Sequence, residues 1–385
     1  MQNSSTAKLH RILSILWLAI CSYLSVTVVQ AIWLLLFVGA VSAADLDDAV
    51  LRSLEEHKVP SASIAVVRNG NVVLARGYGV AGLERRTKAT PDTLFQAASI
   101  SKPVTAMAVL RMAQDGRFGL DSPINDLLKS WKVPENSFTA AKKVTVRQLL
   151  SHTAGISVSG FPGYEAGAAL PNLTQILKGV PPASTPPIVV EAEPGSAYRY
   201  SGGGYTILRL LLEETAGAAF ADLMRKIVLT PVGMTHSTFA QPLPPELAKD
   251  AALAVDRRER PVPGGWNVYP ELAPDGLWTT PTDLVKFAIE IWRSLRGEPN
   301  RVLNRETARL MLTRQLGDYA LGFEVHNEGK AFRFKHDGGN RGFRCRLLFY
   351  PDLGDGVAIM TNGGRGDEVI VDVMRALRAE YGWPQ

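Results

Sequence analysis

The sequence predicts an α+β fold: an antiparallel sheet built from N- and C-terminal segments, flanked by helices and divided by a helical insertion. Three observations predict it. Apolar runs at 63–67 and 72–75 meet across Asn69-Gly70, a hairpin signal because both residues tolerate the positive φ of a type I′ turn. Strand-like runs return only near the other end, at 319–325, 331–335, 343–350 and 357–360. The residues between carry helical spacing instead. The sheet therefore draws on about 61–82 and 318–363, and the insertion on about 100–315.

Taken in order, residues 1–43 stand apart from the fold. Lys8 and Arg11 precede an apolar stretch over 12–41 that ends in Val41-Ser42-Ala43, a small-x-small cleavage pattern. This reads as an export signal. The stretch is also long enough for the ~20 residues that span a bilayer, so an uncleaved membrane anchor is the alternative. In either case the positive flank stays inside, and the domain over 44–385 is exported, periplasmic, secreted or held outside by its anchor. Ile20 before Cys21 argues against a lipoprotein site. After cleavage Cys345 is the one remaining cysteine, so no internal disulfide is expected and stability rests on burial.

Within the domain, Leu46, Val50, Leu51 and Leu54 recur at spacings of three and four and predict a helix over 45–57, ended by Pro60. The hairpin follows. Helical spacing or caps mark 103–114, stopped by Gly116, and then 146–150, 206–215, 220–228 and 282–292. Pro181-Pro182 with Pro186-Pro187 mark an extended loop. Asn327-Glu328-Gly329 and the breaks at 338–342 and 351–356 separate the late strands, and 368–381 closes the chain as a helix.

Composition removes several function classes. The formal charge of +5 falls to +3 without Lys8 and Arg11, and no run of five basic residues occurs, so nucleic acid is not an expected partner. Gly77-Tyr78-Gly79-Val80-Ala81-Gly82 matches GxGxxG, but Leu83-Glu84-Arg85-Arg86 opens no apolar helix to receive a pyrophosphate. Gly202-Gly203-Gly204 lacks the GK[ST] ending of a phosphate loop and reads as a tight turn. The six His, at 10, 57, 152, 236, 326 and 336, never fall three to five apart and no HExxH or Cys/His cluster occurs, so no zinc site is expected unless distant residues converge; no cofactor is expected either.

Chemistry concentrates at Ser99-Ile100-Ser101-Lys102. Positions i and i+3 share one helical face, which sets Lys102 beside the Ser99 hydroxyl, and desolvation is expected to lower the lysine pKa toward a usable base. The motif alone is weak, because 22 Ser and 14 Lys in 385 residues give about one chance SxxK match, which Ser5-Thr6-Ala7-Lys8 already supplies. Further motifs decide. Leu149-Leu150-Ser151-His152-Thr153-Ala154-Gly155, Tyr198-Arg199-Tyr200-Ser201, Pro231-Val232-Gly233-Met234, Gly276-Leu277-Trp278-Thr279-Thr280 and His336-Asp337-Gly338-Gly339 follow in order. In that order and spacing the chain resembles the serine β-lactamase and penicillin-binding-protein-like superfamily, in its class C β-lactamase, esterase and D-aminopeptidase branch, from about Leu46 onward.

The resemblance implies a β-lactamase/transpeptidase-like fold and a metal-free serine hydrolase. It makes Ser99 the acylated nucleophile, Lys102 its proton partner and Tyr200 the phenol that relays a proton to the leaving group. The His336-Asp337-Gly338 strand takes the place of KTG or HxG, with the amides of Ser99 and Gly339 as oxyanion donors and His336 and Gly338 lining the substrate. His152 belongs to a structural turn. Two departures, Gly202 where the YxN motif has Asn and His336 where KTG has Lys, weaken a β-lactamase reading. They favour a small ester, amide or D-peptide-like substrate; the alternative is a membrane-anchored, non-hydrolytic penicillin-binding or sensor domain. Pro274-Asp275 stand where relatives carry small residues. The cleft is expected between sheet and insertion, walled by Tyr200, Trp278 and the 155–171 loop with Phe161 and Tyr164.

Overall fold

A computed structural model describes residues 43–82, 87–326 and 332–384. The apolar stretch over 12–41 and the expected break at Asn327-Glu328-Gly329 lie outside the described residues.

The chain opens with helix α1 (Ala43–His57) and the hairpin of β1 (Ser61–Arg68) and β2 (Asn71–Gly82), turned by Asn69 and Gly70 at φ 48° and 73°. Short β3 (Thr87–Lys88) pairs with β2, and β4 (Phe95–Gln96) leads into the turn that carries Ser99. The insertion contains α2 (Ser101–Gln114), α3 (Val146–Leu150) and α4 (Gly202–Ala216), then β5 (Trp278–Thr279), which pairs with β4, and α5 (Pro281–Arg296). The chain returns through β6 (Glu324–His326), β7 (Arg333–Asn340), β8 (Phe343–Tyr350) and β9 (Asp355–Thr361) and closes with α6 (Gly366–Tyr381).

Strand β1 lies against β9, so the two termini share one seven-stranded antiparallel sheet in the order β3-β2-β1-β9-β8-β7-β6. The period-2 alternation explains its two dry faces. In β1, Ala62, Ile64 and Val66 join Leu46, Val50, Val369 and Leu377 of α1 and α6. Ala65 and Val67 turn to the opposite face, where the insertion packs. Both faces are covered, so Val66, Val67, Ile359 and Met360 are all fully buried, each stabilising by roughly 1.5–3 kcal/mol relative to exposure.

Several sequence expectations are corrected. Of 319–325 only Glu324 and Val325 are strand, continued by His326, because Gly322 at φ 102° turns the chain and Ala320 donates to the Phe323 carbonyl at 2.8 Å. Strand β7 runs on through Gly338 and Gly339, and the break narrows to Arg341-Gly342. Gly202-Gly203-Gly204 is not a tight turn but the first turn of α4, capped by Ser201, whose Oγ accepts from the Gly204 amide at 3.0 Å. A Cβ at Gly203 would stand 2.7 Å from the Ser157 carbonyl, so the glycines let that helix end press against the loop backbone. The 220–228 helix relaxes after Phe220–Met224 into a π turn at Arg225–Leu229.

Candidate active site

Ser99 sits in a single 3-10 turn (Ala98–Ile100) that feeds α2, entered through Ala98 at φ 47°. A left-handed conformation at a residue with a side chain costs on the order of 1–3 kcal/mol and is retained where the surroundings over-determine it. Here β7 does so. Strand β6 covers β7 only as far as Lys335, and beyond it Gly338 meets the Ala97 backbone so closely that a Cβ would stand 2.3 Å from the Ala97 carbonyl oxygen. The same oxygen accepts from the buried Cys345 thiol at 2.9 Å. Gly339, the next residue along β7, is exposed.

Gly338→Ala is therefore expected to push β7 off the Ser99 turn. Turnover should fall on the order of 10²-fold, as when an oxyanion donor is lost, with a folded far-UV spectrum; unchanged kinetics would show that this approach does not position the nucleophile.

Lys102, one helical turn on, is fully buried while Ser99 is only half-buried. Its Nζ donates to Ser99 Oγ at 2.9 Å, to the Pro274 carbonyl at 3.0 Å and to Asp275 Oδ1 at 3.4 Å. The Tyr200 ring centroid lies 4.9 Å from the same nitrogen. Burial, the largest single influence, pulls the lysine pKa down, but Asp275 and then Tyr200 push it up and together prevail. The expected lowering is thus reversed: Lys102 is held as an ammonium, because the insertion supplies a carboxylate beside it.

Ser99, Lys102 and Tyr200 are brought together. Tyr200 is fixed by His152, whose ring lies 4.3 Å from its own, whose carbonyl accepts from the Arg199 amide at 2.7 Å, and whose Nδ1 accepts from the Ser201 amide at 3.1 Å. His152 itself adopts φ 57°, and burial first, then Lys102 and His336, hold it well below the usual imidazole range. It is a neutral support for Tyr200.

His336 lies at the margin, its ring 6.3 Å from that of Tyr200. Both nitrogens are engaged: Nδ1 donates to the Asp337 carbonyl at 2.7 Å, which leaves Nε2 to accept from the Tyr319 hydroxyl at 3.1 Å. Burial, then the Lys102 charge, pull its pKa down to about 4, so it brings no positive charge at neutral pH.

Asp275 and Tyr319 were assigned no role by the sequence, and Phe161 was expected only as a cleft wall. Asp275, nearly buried, places Oδ1 3.1 Å from Ser99 Oγ; its signal was the acid directly before Gly276-Leu277-Trp278. Phe161 explains Gly202, since a Cβ there would stand 2.9 Å from the ring, in the space an Asn side chain would enter. Tyr319 is buried and gave no signal beyond its residue type. Of the expected cleft walls, Trp278 is instead fully buried, its ring edge-on to Trp266 and Phe343, and Tyr164 folds inward so that its hydroxyl accepts from the Ser184 amide at 2.9 Å. Among the described residues no group of His, Cys, Asp and Glu is arranged to hold a metal.

The sequence profile of the Beta-lactamase family matches residues 46–380. The chain belongs to the Beta-lactamase family. Among curated relatives of this Beta-lactamase-family chain is penicillin-binding protein 4 of Amycolatopsis lactamdurans, 28% identical over 351 residues, spanning 84% of this chain and 86% of the relative. Among solved structures, an octameric penicillin-binding protein homologue from Pyrococcus abyssi superposes with a TM-score of 0.75 at 24% identity, covering 89% of this chain and 78% of its own. The D-alanine carboxypeptidase AmpC of Burkholderia cenocepacia gives a TM-score of 0.67 at 19% identity, covering 87% of this chain and 100% of its own. These two likenesses establish the β-lactamase/transpeptidase-like fold that the sequence predicted.

Proposed function

We propose that this Beta-lactamase-family protein is an exported serine hydrolase that forms an acyl-enzyme on Ser99 with a small ester, amide or D-peptide-like substrate. The observation that carries the reading is the half-buried Ser99 hydroxyl, 2.9 Å from the Lys102 ammonium and 3.1 Å from the Asp275 carboxylate. A hydroxyl held between a fixed cation and a fixed anion is oriented for attack and has somewhere to send its proton. Ser99 Oγ would add to the acyl carbon, the amides of Ser99 and Gly339 would meet the oxyanion, and Tyr200 would stand beside the leaving group. Water would then release the acyl group by the same route.

Two features favour esters and simple amides over β-lactams. Phe161 occupies the space of an Asn side chain at 202, which removes an amide contact to an acyl-amino group, and the neutral His336 offers no cation for a substrate carboxylate. Export rests on Lys8, Arg11 and the apolar run over 12–41.

The test is to mix the protein with an aryl acetate, a penicillin and a D-alanyl-D-alanine peptide, following product by absorbance and adducts by intact mass. Rapid ester turnover is expected, with slower hydrolysis of the penicillin and of the peptide, whose carboxylates meet no cation at His336. A long-lived penicillin adduct without turnover of any substrate would overturn the hydrolase reading in favour of a penicillin-binding sensor.

A further inference from the structure

Asp275 has no part in the serine, lysine and tyrosine roles that the family resemblance implies, yet it touches the reacting atom. An ammonium carries three protons, and those of Lys102 face Ser99 Oγ, the Pro274 carbonyl and Asp275 Oδ1. Ser99 Oγ therefore receives a proton from Lys102 and donates its own to Asp275 Oδ1, at 3.1 Å. In this arrangement the lysine has no lone pair to offer the serine.

We propose that Asp275 is the general base that takes the proton of Ser99, while Lys102 stays an ammonium through the attack and orients the hydroxyl. The inference rests on the reading of Ser99 as the acylated nucleophile and deepens it.

The turn that presents Asp275 is built for a fixed carboxylate. Leu272 adopts φ 59°, and the amides of Asp275 and Gly276 both donate to its carbonyl, at 3.2 and 2.7 Å. Gly276 admits no side chain, since a Cβ would stand 2.7 Å from Leu272 Cα. Two side chains of α2 hold the turn: Thr105 Oγ1 donates to the Ala273 carbonyl at 3.1 Å, and Ser101 Oγ accepts from the Leu277 amide at 3.0 Å. From β7, Asn340 Nδ2 donates to the Asp275 carbonyl at 3.3 Å. A carboxylate placed by such contacts costs little reorganisation when the proton moves.

The surrounding titratable groups leave the pair ionic. Tyr200 acts on Lys102, whose charge in turn lowers His152 and His336, and Glu271 and Tyr269 are the neighbours of Asp275 that sense its charge. Both histidines are neutral at pH 7. Glu271 is fully buried with neither carboxyl oxygen hydrogen-bonded, and burial, then the Asp275 charge, raise its pKa to about 8. It is therefore largely protonated at neutral pH.

The step balances without a further reactant. As Ser99 Oγ bonds to the acyl carbon, its proton passes to Asp275 Oδ1 and the carbonyl π pair becomes the oxyanion. On collapse the bond to the leaving group breaks, Lys102 gives that group a proton, and Asp275 returns its own to Lys102. Carboxylate and ammonium are restored, and the serine's proton has left on the product.

Two measurements test this. The first compares kcat/KM for an aryl acetate against pH in wild type, Asp275→Asn and Ser99→Ala. The isosteric D275N is expected to lose about 10²- to 10⁴-fold, the usual worth of a general base. Its residual rate should climb about tenfold per pH unit as the Lys102 amine forms, a rise absent from the wild type. A D275N protein as fast as wild type, or faster because its lysine is released as a base, would overturn the proposal while a dead S99A upheld the nucleophile. An S99A that still hydrolyses the ester would instead fail the nucleophile reading and take the proposal with it. The second measurement needs no substrate: 15N NMR of lysine-labelled protein, with the Lys102 signal assigned through Lys102→Met. An ammonium signal persisting in the wild type to pH 9, and titrating at lower pH in D275N, is expected; a neutral Lys102 amine at pH 7 in the wild type would overturn the assignment.

Discussion

Ser99→Ala will reduce turnover of an aryl ester on the order of 10³- to 10⁶-fold, the range found when a serine nucleophile is deleted from a working site. The loss should appear in kcat and in kcat/KM together, and the mass of the protein after mixing with substrate should show no acyl adduct. Stability should move little. Removing the hydroxyl deletes one acceptor from Lys102 and one donor to Asp275, but the ammonium keeps the Pro274 carbonyl and the carboxylate, so the cost stays within about 1–2 kcal/mol. A thermal melt beside the rate therefore separates chemistry from folding. Turnover within tenfold of wild type in a folded S99A protein would place the chemistry elsewhere.

The nucleophile and its lysine were legible because their relation is local: three residues along one helix start bring Ser99 and Lys102 within 2.9 Å whatever the rest of the chain does. The sheet was legible for a related reason. Asn69-Gly70 dictates a hairpin by backbone sterics, and alternating apolar runs at both ends need partners that only each other can supply. What could not be read depends on contact across the chain. The charge state of Lys102 is set by Asp275, 173 residues away, so local desolvation gave the wrong sign. Gly202 was an unexplained departure until Phe161 was found against it. Gly338 and Gly339 look like a turn from composition alone, yet they continue β7 because the Ser99 turn needs a backbone without a Cβ beside it. Trp278 lies close in sequence to a site residue and was expected in the cleft, but its ring packs edge-on against Trp266 and Phe343 and fills the core.

The buried Lys102–Asp275 pair makes a second large prediction, this one on stability. Their side chains are 0% and 6% exposed, respectively, so removing either partner leaves the other with an uncompensated charge, a change worth about 3–5 kcal/mol. Lys102→Met strands the carboxylate, and Asp275→Ala strands the ammonium; urea denaturation at pH 7 should show both losses. The double variant should be more stable than the sum of the two predicts, by a coupling of about 1–3 kcal/mol, because it leaves no orphaned charge. Additive losses would mean that the pair is not an energetic unit. The alkaline behaviour supplies a check of opposite sign. In the wild type the folded-state pKa of Lys102 is raised above its ordinary 10.5, so the pair's contribution is fully present below that value and is lost as pH rises through the folded value. In Asp275→Ala burial is no longer outweighed and the folded pKa falls, so the unfolded chain binds more protons and the variant regains stability as pH rises toward 10.5. The difference in unfolding free energy between wild type and Asp275→Ala should therefore shrink from pH 7 to pH 10. A difference that stayed constant or widened would mean that Lys102 does not carry its charge on account of Asp275.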